Sequence, residues 1–258
     1  STVTIEFEEV VQHSNMGGFI TFDPSENTGV QPPQPNNNAV FEVPYYLLVM
    51  AMGQRVVDEE LAYNSDYGIV GAIAEKPQNN SLYAVLQTND GTGWNNRAST
   101  VDYVQRTELA SAVGRLDDEF YVSKLPKAVG ELALVGNEWV VVESIDPLNS
   151  SITVKRGALD TIPVTHDATT EIFYSGTYFA FDAKEYQDGD EVLTYVLTTT
   201  PSGMQEPAGA ADVVVLDSRA IRPYPPANVQ VNDEYWPDEV VGTAEITWAD
   251  RNRTQQTS

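Results

Sequence analysis

The sequence predicts a mainly β protein, built as barrels or sandwiches of short strands with few and short helices. Three observations predict it. Apolar and polar residues alternate with a period of two in many short runs. Turn residues (Gly, Pro, Asn, Asp) separate those runs at close spacing. Apolar patterns with a helical period are scarce, so βαβ units are not expected. The 258 residues suffice for one large or two modest domains, each able to bury a core without staples.

Taken in order, "TVTIEFEEVV" sets Val3, Ile5 and Phe7 against Thr4, Glu6 and Glu8, a half-buried strand. "GFITF" is a second candidate. The passage from Asp23 to Ala39, rich in Pro and Asn, reads as a long surface loop or a linker within a β-rich, hub-like region spanning residues 1–217, which it would divide into two subdomains if it is a linker. "VFEVPYYLLVMAMG" holds the longest apolar stretch, interrupted by Glu42 and Pro44. "GIVGAIA", "SLYAVLQT", "ELALVG", "EWVVVESID", "SITVKRG", "EIFYSG" and "EVLTYVLTTT" follow as strands, with turns at Gly136-Asn137, Pro147 with Asn149, and Asp188-Gly189. Two short helices are expected, one in "GQRVVDEELAYNS" and one in part of Ser99–Val113. Residues 218–227 carry Pro223, Pro225 and Pro226 and read as a stiff extended connector. Beyond it, 228–258 offers "NVQVN" and "AEITWAD" as the first two strands of a new β-sandwich, with Trp248 in its core. Roughly 30 residues stand there against the ~100 such a domain needs, so a segment of a longer polypeptide is expected. The missing initiator Met agrees with that, and the N-terminus lacks the basic and apolar regions of a signal peptide.

Composition excludes several functions. With no cysteine, thiolate catalysis, disulfides and cysteine zinc sites fall away. No apolar run reaches the ~18 residues of a membrane span. A formal charge of −24, from 38 acidic and 14 basic residues, repels phosphate backbones and argues against stable nucleic-acid binding.

Individual candidates for chemistry each have a plainer explanation. The two histidines, His13 and His166, form no local ligand pair for zinc. No G-x-S-x-G elbow accompanies them; "TPSGM" lacks the first Gly. His166 reads as a loop residue bonding local backbone, and its loss is expected to cost ~1 kcal/mol. Asp160 and Thr161 read as turn residues bonding their own backbone. Asp188, Asp190 and Glu191 around Gly189 carry hard oxygen ligands suited to calcium, yet lack the alternation of an EF-hand loop. A hairpin turn with Gly189 at positive φ accounts for them. "DEE" (Asp58–Glu60) and "DDE" (Asp117–Glu119) read as solvated faces or helix starts. "GTGWNN" has a lone G-x-G without the third Gly and no strand-to-helix frame, a very weak match to a phosphate loop. Tyr235 and Trp236, beside Pro237, suggest a sugar-stacking platform or a cover for the new sandwich. No catalytic, cofactor-binding or metal-binding residue is assigned.

"SITVKRGALDTIPVTHDATTEIFYSG" resembles a segment of large tail proteins of tailed bacteriophages and gene transfer agents, through Arg156, Gly157, Leu159, Asp160, Thr161, Pro163, His166 and Phe173. "VFEVPYYLL" resembles the family's acidic-Pro-aromatic strand. "LTTTPSGM" followed by "SRAIRPYPPANVQVN" resembles its exit from the hub into a Pro-rich connector, and "AEITWADRNR" its fibronectin-type-III-like module. The resemblance implies a virion structural component at the tail tip or baseplate hub, not an enzyme and without a cofactor. Its implied partners are copies of itself, usually as a trimer, other tail proteins, and a host receptor or glycan. The diffuse negative charge would suit a tube through which DNA slides, which predicts acidic side chains along an axial channel. The alternatives are a carbohydrate-binding β module and, further off, a glycoside hydrolase using two carboxylates.

Overall fold

Among the described residues, the alternating runs expected as strands from "GIVGAIA" onward do form strands. The computed structural model describes residues 31–235 and 237–252. The strand expected at Thr2–Val11, "GFITF", His13, most of the Asp23–Ala39 loop and Trp236 lie outside these residues. From Pro32 on, the described residues belong to one compact unit.

In chain order the elements begin with β1 (Asn38–Glu42), α1 (Tyr45–Met52), α2 (Gln54–Tyr63), β2 (Val70–Glu75), β3 (Tyr83–Asn89), β4 (Asn95–Val101) and β5 (Tyr103–Glu108). Next come β6 (Glu119–Tyr121), β7 (Leu132–Val135), β8 (Glu138–Asp146), β9 (Ser151–Lys155), β10 (Glu171–Tyr174) and β11 (Ala180–Phe181). The last are β12 (Glu191–Thr200), β13 (Gly203–Met204), β14 (Asp212–Val215), β15 (Ala227–Val231) and β16 (Ile246–Ala249). They form three sheets, among them a curled half-barrel. The first has nine strands in the order β1-β2-β5-β10-β7-β8-β9-β6, with β11 also on β2. The second places β12 between β3 and the pair β13 and β14, with β4 at the far edge. The third is the β15–β16 hairpin.

The one mixed feature explains how the first two sheets interlock. β2 and β5 run parallel, pairing Ala74 with Tyr103 and Glu75 with Val104. Parallel neighbours need a long crossover, and here the crossover is itself the β3–β4 hairpin, which founds the second sheet. β2 is therefore buried along its length, with Val70, Ala72, Ile73 and Ala74 all at 0 % exposure. On β12 the even positions, Val192, Thr194, Val196, Thr198 and Thr200, face inward. The threonine hydroxyls stay bonded: Thr194 donates to the Asp212 carbonyl and Thr198 accepts from Asn36 Nδ2. A buried hydroxyl without such a partner would be costly.

Three expectations are corrected here. "VFEVPYYLL" is strand only as far as Glu42; after Pro44 it becomes α1, which buries Tyr45, Leu47 and Leu48. Pro44 sits at the N-cap, where its missing N–H costs nothing, and a short continuous apolar run does not distinguish strand from helix. Ser99–Val113 holds no helix. It contains the end of β4 and all of β5, whose Thr107, Arg106 and Gln105 pair with β10. Trp248 is not in a core: it is 58 % exposed on β16, and its indole N–H donates to Asp250. The expected helix in Gly53–Ser65 is α2, held to α1 by the Tyr45 hydroxyl donating to Asp58 at 2.7 Å.

Candidate functional site

The loop from Arg156 to Thr170, between β9 and β10, is fastened at its centre by a single carboxylate. Glu138 opens β8 directly after the Gly136-Asn137 turn and is 1 % exposed. Its Oε1 accepts from Arg156 Nε (2.8 Å) and the Gly157 N–H (2.9 Å). Its Oε2 accepts from Arg156 Nη2 (2.7 Å) and the Val164 N–H (3.2 Å), and lies 2.9 Å from His166 Nε2. Burial pushes the Glu138 carboxyl up, but these donors overrule it and hold it at about 2. Arg156 also donates to the Gly114 and Asp117 carbonyls and stacks on Phe120.

His166 therefore does not bond local backbone through its ring. Its main chain bridges to Val113, and its ring meets an acid 28 residues away. Gly157 has φ +59, and a Cβ there would lie 2.8 Å from Pro163 Cδ, so the tight turn behind Arg156 requires glycine.

One turn further on, Asp160 is buried at 4 % exposure. It is not a turn residue bonding its own backbone. Arg219 grips it with two bonds of 2.7 Å, and Arg222 Nη1 adds one of 3.2 Å. Two oppositely charged guanidinium groups at this range offset the desolvation of the carboxylate. Thr161, by contrast, does bond its own turn, donating to the Ala158 carbonyl three residues back, and it also accepts the Trp139 N–H from β8. Arg219 is aimed from the other side by Glu42, whose carboxylate accepts the N–H groups of Asp217 and Arg219 and whose carbonyl accepts Arg219 Nη1. Burial raises the Glu42 carboxyl despite these bonds.

The segment 218–227, expected as a stiff extended connector, is packed onto the body and begins with a turn. Ser218–Arg222 makes one helical turn, and Ala220 (0 %) and Tyr224 (7 %) plug into the core beside Trp139 and Leu159. Arg251, just past β16, closes the arrangement. It donates to the Gly157 and Leu159 carbonyls at 2.8 and 3.1 Å and stacks on the Tyr224 ring at 5.2 Å. Leu159 itself holds φ +54, a left-handed conformation costing roughly 1–2 kcal/mol, which surrounding bonds must hold in place.

The other candidates are placed as follows. Gln187–Asp190 is a turn with Gly189 at φ +83, in which Asp190 accepts the Gln187 N–H and Asp188 accepts from Ser218. Glu191 begins β12, and among the described residues no group of three or more His, Asp or Glu is placed to hold a metal ion. "GTGWNN" is the tip of the β3–β4 hairpin. Asp58–Glu60 lies on α2, and Asp117 accepts the Gly114 N–H in the turn before β6. Tyr235 is 58 % exposed. No described helix is long and apolar enough to cross a membrane.

A further buried acid gave no sequence signal of its own. Asp182 is 0 % exposed and accepts the Tyr186 hydroxyl at 2.6 Å, four residues on. Burial raises its carboxyl to about 6 against the pull of Tyr186 and Arg97.

A cleft of about 680 Å³, lined by polar and apolar residues alike, runs between β1, β14 and the 160–164 loop, and both Glu138 and Asp160 line it. Each carboxylate is already committed to arginine. Glu138, held at about 2, is shifted in the direction opposite to that of a general acid. What the arrangement does chemically is to fix chain segments to one another. No protein-family model matches the chain, and no curated protein matches it.

Proposed function

We propose that the chain is a structural component of a phage-type tail tip or baseplate hub, closing the tail tube and anchoring receptor-facing modules. One observation carries the reading. The segments that resemble the tail-protein family, far apart in sequence, meet in one junction: the 156–170 loop, the 218–227 exit and the "WADR" stretch are joined through Asp160, Arg219, Arg222 and Arg251. A scaffold that hands its chain to a further module needs the exit fixed in direction. Three arginines gripping one loop supply that, and the loop's polar residues are spent on holding chain to chain.

Immunogold labelling of intact particles with antibody against this chain is the direct test. Label confined to the tail end, with the isolated chain cross-linking into closed trimers, is the expected result. Turnover of a polysaccharide, abolished by one Asp or Glu substitution that leaves stability intact, would refute it. The carbohydrate-binding reading rests on Tyr235, which is exposed, and Trp236, outside the described residues; Trp94, exposed with its ring 4.7 Å from that of Tyr195, adds a further ring in its favour. A glycan array tests it separately.

A further inference from the structure

A groove of about 950 Å³ separates the 157–164 loop from the start of the C-terminal hairpin. Its charge is the reverse of the chain's. Overall, acids outnumber bases 38 to 14. In the groove, Arg115, Lys155, Arg156 and Arg251 face a single acid, Asp118. Arg156 is neutralised by Glu138, and Lys155 forms an exposed pair with Glu143. Among the described residues, the charge of Arg251 meets only carbonyl oxygens and a ring, and Arg115 is exposed without a bonded partner. Two cations are therefore left to act on whatever enters.

The lining between these cations is apolar. Leu116, Ile162 and Tyr235 are each 58–60 % exposed, and Pro163, Pro225 and Pro226 also line the groove. Prolines offer no N–H, so these positions do not add a strand by backbone pairing; they select side chains of an extended chain. Apolar area of this kind disfavours a hydroxyl-rich sugar chain, whose polar groups would be desolvated without partners. Clustered Arg among apolar and aromatic residues is the composition of an interface centre.

We propose that this groove binds an extended peptide segment of another protein, one that alternates apolar side chains with Asp or Glu. The carboxylates would meet Arg115 and Arg251, and the apolar side chains would cover Ile162, Leu116 and Tyr235. The proposal does not depend on where the chain resides.

Panning a random peptide library against the full chain tests it, alongside an Arg115→Glu/Ile162→Asp double variant. Both side chains are exposed, and circular dichroism and thermal melting of the variant check its folding. Recovered peptides rich in Asp and Glu between apolar residues, binding the variant about tenfold or more weakly and losing affinity with salt, are the expected result. Neutral or basic consensus peptides, or equal binding to both proteins, overturn it. So does binding of polygalacturonate where no peptide is enriched, which would assign the groove to an acidic glycan. A change of oligomeric state in the variant, read by light scattering, would instead make the occupant a second copy of this chain.

Discussion

Replacing Glu138 by Gln isolates what one carboxylate does for the loop. The side chain keeps its size, so no cavity opens. What changes is that an NH₂ group replaces one oxygen. If it replaces Oε2, the donors Arg156 Nη2 and the Val164 N–H lose their acceptor, as does the contact with His166 Nε2. Arg156, with its side chain 8 % exposed, is left a buried cation without a counter-ion. Two routes give the size of the effect. Breaking a buried ion pair from one side costs ~3–5 kcal/mol. Holding the Glu138 carboxyl at about 2 rather than 4.5 corresponds to about 3 kcal/mol in favour of the folded, ionised form. At pH 7 the variant should therefore lose ~3 kcal/mol, or roughly 6–12 °C in Tm for a chain of this size. The pH dependence has a definite sign. A depressed carboxyl contributes its full stability above its unfolded value, and that contribution fades as pH falls toward the folded one. About half of the difference from wild type should have gone by pH 3. Urea titrations at pH 7 and pH 3 read both quantities. A difference below ~1 kcal/mol at pH 7, or one unchanged at pH 3, would show that Glu138 is not the fastening point.

Four further outcomes follow from the same contacts. Asp182 behaves oppositely to Glu138: its carboxyl is raised to about 6, so its contribution is present at low pH and is lost as pH rises from about 4 through 6, by roughly 3 kcal/mol; urea titrations should show that decline in wild type and not in Asp182→Asn. His166→Ala should cost ~2–3 kcal/mol, more than a neutral loop bond, because its ring meets a buried charge, and denaturation of the single variant is enough to check it. Gly157→Ala should destabilise by about 2 kcal/mol or more through its positive φ and the contact with Pro163, whereas Gly91→Ala, in open space at the β3–β4 tip, should cost about half as much in the same melts. Arg251→Lys should fail to rescue Arg251→Ala, since an ammonium does not reproduce a fork on two carbonyls and a ring; hydrogen exchange should speed up in 227–231 and 246–249 while β12 is unaffected.

The strands were legible because their physics is local. Alternation in Glu191–Thr200 and the Gly136 and Asp188-Gly189 turns need only neighbouring residues to be read. Where two local readings competed, sequence chose poorly. The apolar run after Pro44 satisfied strand and helix equally, and in Ser99–Val113 the pairing of β5 with β10 and β2 makes strand of a stretch read as helix. The site was harder. His166 and Asp160 read as residues bonding local backbone, whereas their side-chain partners sit 28 and about 60 residues away. Nothing in local spacing selects Arg219 among 14 basic residues; the burial of Ala220 and Tyr224 and the distant Glu42 place it. Trp248 was misplaced for a related reason: a pattern fixes which face a residue shares, while the exposure of that face depends on what else is present.

The anchors of the exit are strung in series along the chain: Arg219, Arg222, Tyr224, then Arg251 beyond the last hairpin. Tension applied downstream of Arg251 therefore meets them one at a time, outermost first, rather than all together. We predict a sawtooth of small yielding events in a force trace before any of the large sheets gives way, so that the joint would absorb mechanical work while the body upstream keeps its shape.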